Sequence, residues 1–448
     1  FAAGAAAIWL GLLATAGEGG AAGLSDIIVP GLAYAALAWP AAAALARLYP
    51  GYGLPSHDEL GASVTAAGAA ALMLAFLTVV LPGTFALSPT AVIVAGLSSL
   101  VLAPAFRFVT KLILRALHLW GRPVVVLGTG EAAARVTKHL TGHRGIGLHP
   151  IAVFGSGDDW DVLQLPVTGT LDHAWRYIYD NNVRHAVVTP DAARELAFDE
   201  VLRHADRQLR FVQYLPDLAG LPSSSVVASP LGSSLALEVR NQLASGSNRA
   251  IKRSLDLVVS VILLVIMAVP LALVALAVRL DSRGSPIHLS PRVGRNGRTF
   301  LCMKFRTMFV DADERLTALL AADEQVRREY ERYRKLTDDP RVTRVGKVLR
   351  RLSIDEFPQL VNVVIGQMSL VGPRPYLVSE FDDMGRDRDL IFLARPGMTG
   401  FWQVEARNEV SFDDRQAMEA NYVRNWSVWW DLEILLRTPL ATLGPDGK

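Results

Sequence analysis

The segment Arg350-Arg351-Leu352-Ser353-Ile354-Asp355-Glu356-Phe357-Pro358-Gln359-Leu360 places two adjacent carboxylates behind a pair of arginines and ahead of an apolar run. Ser353-x-x-Glu356 has the spacing of a capping box, so a helix is expected to start at Ser353 with Asp355 in its first turn. There, unbonded N–H groups and the positive end of the helix dipole stabilise a carboxylate and attract phosphate. A carboxylate kept ionised beside a bound pyrophosphate can attack phosphorus and form an acyl phosphate, and Asp355 is the better placed nucleophile. Glu356 could hold a Mg²⁺ bridging the pyrophosphate, or serve only as the return half of the capping box.

Basic residues recur in short motifs around this pair: Arg292, Arg295, Lys304, Arg306, Arg341, Arg344, Arg350, Arg351 and Arg374. Lys304-Phe305-Arg306 alternates charge and aromatic, which puts both cations on one face of a strand. Gly294-Arg295-Asn296-Gly297 reads as a hairpin turn, and Gly372-Pro373-Arg374-Pro375 as a rigid loop that fixes an arginine. Rigid guanidinium forks suit pyrophosphate, although each arginine taken singly reads equally well as a surface or lipid-facing charge. Asp338-Asp339-Pro340-Arg341 has turn chemistry of its own. Pro396 to Gln403 is expected to be a turn leading into a strand, whose amides and Gln403 could contact a nucleotide or could simply close the turn.

The elements that must position these groups divide by composition. The chain has 448 residues, is 51% hydrophobic and carries a net charge of +2, with mean hydropathy +0.28. Two or more folding units are expected at this length. Apolar stretches lie near 2–16, 27–49, 62–82 and 88–113; three reach the roughly 20 residues needed to span a bilayer, and the first is expected to be a span cut short, since residue 1 is Phe. Further apolar runs follow it, which argues against a cleaved signal peptide. Loops 17–26 and 83–88 lack Lys and Arg, whereas Arg47 occupies the middle loop and Arg107, Lys111, Arg115 and Arg122 follow the last stretch. The positive-inside rule then gives four spans with both ends cytoplasmic. The only cysteine, Cys302, excludes an intramolecular disulfide and a multi-cysteine metal site.

Residues 123–215 alternate β-branched runs (Val124 to Leu127, Ile151 to Phe154, Ala186 to Thr189, Phe211 to Tyr214) with helical patterns such as Glu131 to Leu140, as a mainly parallel α/β unit does. Its first turn, Gly128-Thr129-Gly130-Glu131-Ala132-Ala133, is a G-x-G-x-x-A between strand and helix. Nucleotide binding at Gly128 and Gly130 is one reading. Tight strand-to-helix packing is the other, favoured by the missing carboxylate after the second strand, where Phe154-Gly155-Ser156-Gly157 stands. Residues 221–248 are Ser/Gly-rich and read as a linker with one short strand. The apolar run Leu255 to Leu280 has Lys252-Arg253 before it, Pro270 at its centre, and Arg279, Arg283, Arg292, Arg295 and Arg298 after it. Cations on both flanks favour a helix that enters, breaks at Pro270 and returns to the same face; a straight, kinked span is the alternative.

Between 249 and 350 stand twenty Lys/Arg and eleven Asp/Glu, a balance suited to anionic headgroups and phosphorylated ligands or to an ordinary solvated surface. Asp311 to Lys335 is expected to form a surface helix. Tyr422, Trp426, Trp429 and Trp430 suggest either an interfacial amphipathic helix or core packing.

Taken together, Lys304-Phe305-Arg306-Thr307-Met308, Asp339 to Gly346, Ser353 to Leu360, Met368 to Pro375 and Pro396 to Gly400 resemble, in order, the motifs of the bacterial sugar transferase family, the polyprenyl-phosphate hexose-1-phosphate transferases, over about residues 249–440. Phe357 where Leu is usual, Pro291 before Arg292 and the absence of a Gly-Ala-Tyr ending are departures. The segments Arg407 to Glu409 and Asp431 to Leu435 look like the undecaprenyl-phosphate galactose phosphotransferase branch. The resemblance implies a membrane α-helical bundle (1–118), a Rossmann-like α/β module (119–220), a linker (221–248) and an α+β monotopic catalytic domain (249–448) with a re-entrant membrane helix at about 254–280.

It further implies transfer of a hexose 1-phosphate from a UDP-hexose to undecaprenyl phosphate. Asp355 would be the nucleophile, Glu356 the Mg²⁺ ligand, and UMP the leaving group. Arg292, Arg295, Lys304, Arg306, Arg341, Arg344, Arg350, Arg374 and Gln403 would bind phosphates and uridine. A homodimer in the bacterial inner membrane is expected, with the catalytic domain on the cytoplasmic face and no nucleic acid partner. Two rivals are a membrane-anchored nucleotide sensor using the glycine turn and a nucleotide-sugar oxidoreductase or dehydratase. The latter is disfavoured by the missing acidic residue and by the lack of a Tyr-x-x-x-Lys pair beside the α/β unit.

Overall fold

The computed structural model describes residues 38–49, 51–80, 88–155, 167–196, 211–215, 226–231, 234–239, 245–322, 339–385, 387–406 and 410–443, with a few isolated positions between them. The apolar stretch 2–16 and residues 27–37 of the next stretch lie outside these residues. The chain divides into two compact units, Phe1–Ala219 and Gly220–Lys448.

In the first unit, residues 38–45 are helical and are followed by α1 (Ser56–Val80) and α2 (Pro89–Ala116). Both α1 and α2 are long and apolar enough to cross a membrane. Pro89 sits at the first helical position of α2, and the Ser88 hydroxyl accepts the Ala91 N–H at 3.1 Å, so one of the first-turn donors is satisfied. The helices pack through small residues, Ala42, Ala66, Ala70 and Ala95 among them, which lets backbones approach where no water drives association. Leu72, Phe76, Ile93, Leu97 and Val101 point outward, as lipid-facing residues do.

The chain then forms β1 (Arg122–Leu127), α3 (Glu131–Gly142), β2 (Leu148–Phe154), β3 (Val167–Gly169), α4 (Leu171–Asp180), β4 (His185–Val188), α5 (Pro190–Glu195) and β5 (Phe211–Tyr214). The five strands pair in the order β3-β2-β1-β4-β5, all parallel. Val125, Leu127, Phe154 and Val188 are at most 1% exposed, because a parallel sheet covered by helices buries both faces and its strands read as continuous apolar runs.

The expected linker is structured. β6 (Val226–Leu231) and β7 (Ser234–Val239) form an antiparallel hairpin with Leu231 opposite Ser234, where the Ser/Gly content suggested a linker with one short strand.

The second unit begins with α6 (Gly246–Asp281), then β8 (Ile287–Val293) and β9 (Thr299–Phe305), an antiparallel hairpin. Its turn at Arg295–Gly297 has Asn296 at φ 57°, confirming the hairpin turn expected there. There follow α7 (Ala312–Ala322), α8 (Arg344–Arg351), α9 (Gln359–Ile365), β10 (Ser369–Val371), α10 (Arg388–Ile391), β11 (Gly397–Thr399), α11 (Phe401–Glu405), α12 (Phe412–Asn425) and α13 (Val428–Leu443). The segment after Pro396 is thus a short strand running into a helix, not a turn into a strand. Tyr422, Trp426 and Trp430 lie in the main core with Leu360, Val363 and Ile434, so core packing, not an interfacial helix, accounts for these aromatics.

α6 runs on through Pro270, where a break was expected; a straight helix of that length would measure about 54 Å. Both of its ends are tied to the same unit. At the amino end Arg253 donates to the carbonyls of Val363 (2.6 Å) and Val364 (2.7 Å), and Lys252 reaches Asp431 (2.6 Å) and the Val371 carbonyl (3.0 Å). Asp256 accepts from the Ser369 hydroxyl at 2.8 Å and the Leu370 N–H at 3.0 Å. At the carboxyl end the Val345 N–H donates to Asp281 (3.0 Å), and Arg306 donates to the carbonyls of Ser282 (2.7 Å) and Arg283 (2.8 Å). Between these ties Val261, Ile262, Val265, Ile266, Val269 and Leu273 are exposed.

Candidate active site

The Asp355–Glu356 pair is positioned by a tight turn rather than by a long helix. Residues Ile354–Glu356 form one 3₁₀ turn, α9 starts only at Gln359, and Ser353 takes a left-handed φ of 55° with no side-chain capping bond. The capping box read from the sequence therefore does not form: its Ser353 has the wrong backbone angle, and its glutamate is engaged elsewhere. Glu356 Oε1 receives Lys304 Nζ at 2.5 Å from β9. No hydrogen bond reaches its Oε2 among the described residues.

Asp355 is half-buried. Burial, then the neighbouring Glu356 charge, raises its pKa, and Lys304 and Arg350 pull it back down. Lys304, Arg350 and the two carboxylates thus share one electrostatic neighbourhood. Arg292 belongs to it as well: it feels Glu356 and Arg374, and burial holds its pKa below the usual guanidinium value. Its Nη1 donates to the Pro375 carbonyl at 3.3 Å, while its buried Nε lacks a hydrogen-bond partner among the described residues. Arg374 makes no side-chain hydrogen bond within the same set of residues. An orphaned buried N–H beside an uncommitted guanidinium is a cradle for an oxyanion.

The loop carrying Arg374 is held by a residue that the sequence did not single out. Glu419 on α12 is 2% exposed; its Oε1 accepts the Arg374 N–H at 2.8 Å and its Oε2 accepts the Tyr376 hydroxyl. Burial pushes its pKa up to about 7 against these bonds. Beneath the same loop, β10 and β11 pair in parallel, with Ser369 opposite Gly397 and Val371 opposite Thr399. A Cβ on Gly372 would lie 2.4 Å from the Arg395 carbonyl oxygen, and one on Gly397 2.1 Å from the Gly372 nitrogen. Both glycines are needed because backbone meets backbone there.

The remaining cations are used differently. Arg306 closes the carboxyl end of α6 and is 8% exposed. Arg341 is also buried and meets Asp339 through two N–H groups, at 2.8 and 2.6 Å. Arg295 Nε donates to the Leu393 carbonyl at 3.0 Å. Arg344 is exposed at the start of α8, Arg350 Nε donates to the Thr307 hydroxyl at 2.9 Å, and Gln403 lies on α11 beside Gly400. The structure therefore gathers Asp355, Glu356, Lys304, Arg350, Arg292 and Arg374, and assigns Arg306 and Arg341 to local anchoring.

Mg²⁺ takes one or two carboxylates and fills its remaining positions with water and substrate phosphates. Two adjacent carboxylates with Glu356 Oε2 uncommitted fit that donor set. Among the described residues no group of three or more His, Cys, Asp or Glu side chains stands together.

The glycine turn of the α/β unit is filled from within. The N–H groups of Thr129 (2.9 Å) and Gly130 (3.2 Å) donate to Asp191 Oδ2, whose other oxygen accepts the Thr189 hydroxyl at 2.5 Å. Burial of Asp191 works to raise its pKa, but the bonds from Thr189, Gly130 and Thr129 outweigh it and the pKa is lowered. A carboxylate of the chain itself occupies the place that the sequence reading allowed a nucleotide phosphate.

The described residues thus combine helices long and apolar enough to cross a membrane with a carboxylate pair set among cations. Residues 247–444 match the family described as bacterial sugar transferase, and the chain belongs to that family. It is 36% identical over 353 residues to a Salmonella typhimurium protein named undecaprenyl-phosphate galactose phosphotransferase, covering 78% of this chain and 74% of the relative. It is also 36% identical over 361 residues to a UDP-galactose-lipid carrier transferase of Erwinia amylovora, covering 79% and 75%. To the undecaprenyl-phosphate glucose phosphotransferase of Komagataeibacter xylinus it is 32% identical over 331 residues, covering 71% and 58%.

Proposed function

We propose that this transferase moves a hexose 1-phosphate, with galactose the first candidate, from a UDP-hexose to undecaprenyl phosphate, as the first membrane step of surface-polysaccharide synthesis. The observation that carries the reading is the half-buried Asp355 beside Glu356, ringed by Lys304, Arg350, Arg292 and Arg374, in the unit that also anchors both ends of an apolar helix. The names of the relatives support the lipid acceptor and the hexose class.

In this scheme an Asp355 oxygen attacks the phosphorus that bears the sugar. The new P–O bond forms as the bond to the bridging oxygen breaks, and that oxygen leaves with UMP. An oxygen of the lipid phosphate then attacks the same phosphorus and releases the Asp355 carboxylate. Arg292 and Arg374 orient the diphosphate, and Lys304 restrains Glu356. Glu356 would hold the Mg²⁺, which when bound neutralises diphosphate charge.

Both ends of α6 are latched to one unit, so we assign it a re-entrant course with Pro270 at its deepest point, the catalytic unit lying on the cytoplasmic face of the inner membrane. The parallel β3-β2-β1-β4-β5 order supports a Rossmann-like module.

The test is UMP release from UDP-galactose and UDP-glucose by protein with undecaprenyl phosphate and Mg²⁺. Asp355→Asn is expected to abolish release with either sugar, a loss of three orders of magnitude or more being usual for a covalent nucleophile, on the order of 10³. Near-normal turnover in that variant would refute the covalent scheme.

A further inference from the structure

Between residues 107 and 149 stand seven Lys/Arg, namely Arg107, Lys111, Arg115, Arg122, Arg135, Lys138 and Arg144, against the single acid Glu131; Arg107 and Lys111 are both ion-paired with Glu59 of α1, which leaves the excess on the other five. At the end of α3 two cations, Arg135 and Lys138, and two imidazoles, His139 and His143, line an open cleft of about 620 Å³ together with Thr141 and Gly142; burial and the neighbouring His143 hold the His139 pKa below the usual imidazole value. Among the described residues no carboxylate lines the cleft, and Glu131 is the ion-pair partner of Arg135 at 2.7 Å. The rings of His139 and His143 stack at 4.5 Å. Cations in a helix's last turn also answer the helix dipole, so charge alone does not assign a ligand.

Position does. The loop that continues from His143 is bonded to the chain on both sides of the membrane helices. The Gly53 N–H donates to the Ile146 carbonyl at 2.9 Å, three residues before α1, and the Arg122 N–H donates to the Gly147 carbonyl at 3.0 Å, shortly after α2. Gly147, at φ 73°, packs on the Trp120 indole and the Tyr52 ring; a Cβ there would lie 2.7 Å from Trp120 Nε1. Those two rings are 5.0 Å apart, and Lys111 lies 4.7 Å over Trp120. The Arg115 guanidinium abuts Gly145, within 2.5 Å of where a Cβ would be. An aromatic pair at the ends of two membrane-length helices, with Lys111, paired with Glu59, over Trp120 and Arg122 5.5 Å over Tyr52, suits the headgroup level, and the loop that packs on it continues directly from His143 of the cleft.

We propose that this cleft binds the phosphate headgroup of an acidic phospholipid, seating the α/β unit against the bilayer surface at a site separate from the Asp355 centre. The headgroup phosphate meets Arg135, Lys138 and the two imidazoles, and Arg115 borders the adjoining loop. The site does not depend on the reaction assigned to Asp355, and its failure would leave that reading intact.

The test uses the full chain in nanodiscs of phosphatidylcholine with and without phosphatidylglycerol, reading lipid retained in native mass spectrometry and the melting temperature. Wild type is expected to retain phosphatidylglycerol preferentially and to melt higher in its presence. The exposed double substitution Arg135→Gln/Lys138→Gln should cut that preference roughly tenfold or more, since each cation near an anionic surface is worth about 1 kcal/mol, a factor of about five. UMP release should be unchanged. Undiminished preference in the double variant would overturn the assignment, as would stabilisation by inorganic phosphate in phosphatidylcholine discs with no added effect of phosphatidylglycerol. Should the double variant melt lower even in phosphatidylcholine, Lys138→Gln alone supplies the comparison.

Discussion

Asp355 sits where its two requirements conflict: burial and the Glu356 charge favour its neutral form, whereas attack on phosphorus needs the carboxylate. Lys304 and Arg350 oppose the shift without cancelling it, so the pKa stays raised. The acid limb of activity should therefore lie above the range of an ordinary aspartate. Arg350→Ala should move it further toward neutral pH, because a group that stabilises the charged form is gone. A pH–kcat profile of the two proteins checks this; an unmoved limb would show that Arg350 does not act on Asp355. At this scale charge and spacing made Asp355, Glu356 and Lys304 stand out, and Lys304 does meet Glu356. Charge and spacing gave no sign of local partners: Arg341 meets Asp339 two residues away, and Arg306 the end of α6. Glu419 was invisible because its partner Arg374 is 45 residues distant and no local pattern marks the pairing.

The elements show the same division. β1, β2, β4 and β5 are legible as β-branched runs, whereas β3 has three residues and gives no periodicity to read. The β6–β7 hairpin hid in serine-rich sequence, and the helix expected at Ser353 starts at Gln359 because Ser353 is left-handed. The β10–β11 pair is the element on which the Arg374 loop rests, and its glycines are its weak point. Gly372→Ala would press a methyl group into the Arg395 carbonyl and should cost about 1–3 kcal/mol of stability. Thermal melts of the detergent-purified proteins check the value. Activity should fall further than stability accounts for, since the loop bearing Arg374 must shift; an alanine variant with wild-type melting and turnover would contradict the packing described.

For the whole molecule, the apolar helix α6 is joined to the catalytic unit by a buried ion pair. Lys252 is 8% exposed and Asp431 1%, with Tyr422 (2.7 Å) and Trp426 (3.0 Å) also donating to the carboxylate. Lys252→Met would leave that carboxylate without its cation and should cost about 3–5 kcal/mol, which Asp431→Asn in the same chain should partly restore. Melting curves of the three variants decide it; equal loss in the single and double variants would mean that packing, not charge, is at stake. Cations at both flanks of this helix were legible in the sequence, but not the side chains that tie its ends to the catalytic unit. The partner of Lys252 lies 179 residues downstream. During synthesis the helix therefore emerges long before this ion pair can form, and the partners of Arg253 and Asp256 on α9 and β10 are made first. A chain that stops before residue 431 would keep those ties and leave the Lys252 ammonium buried without its carboxylate.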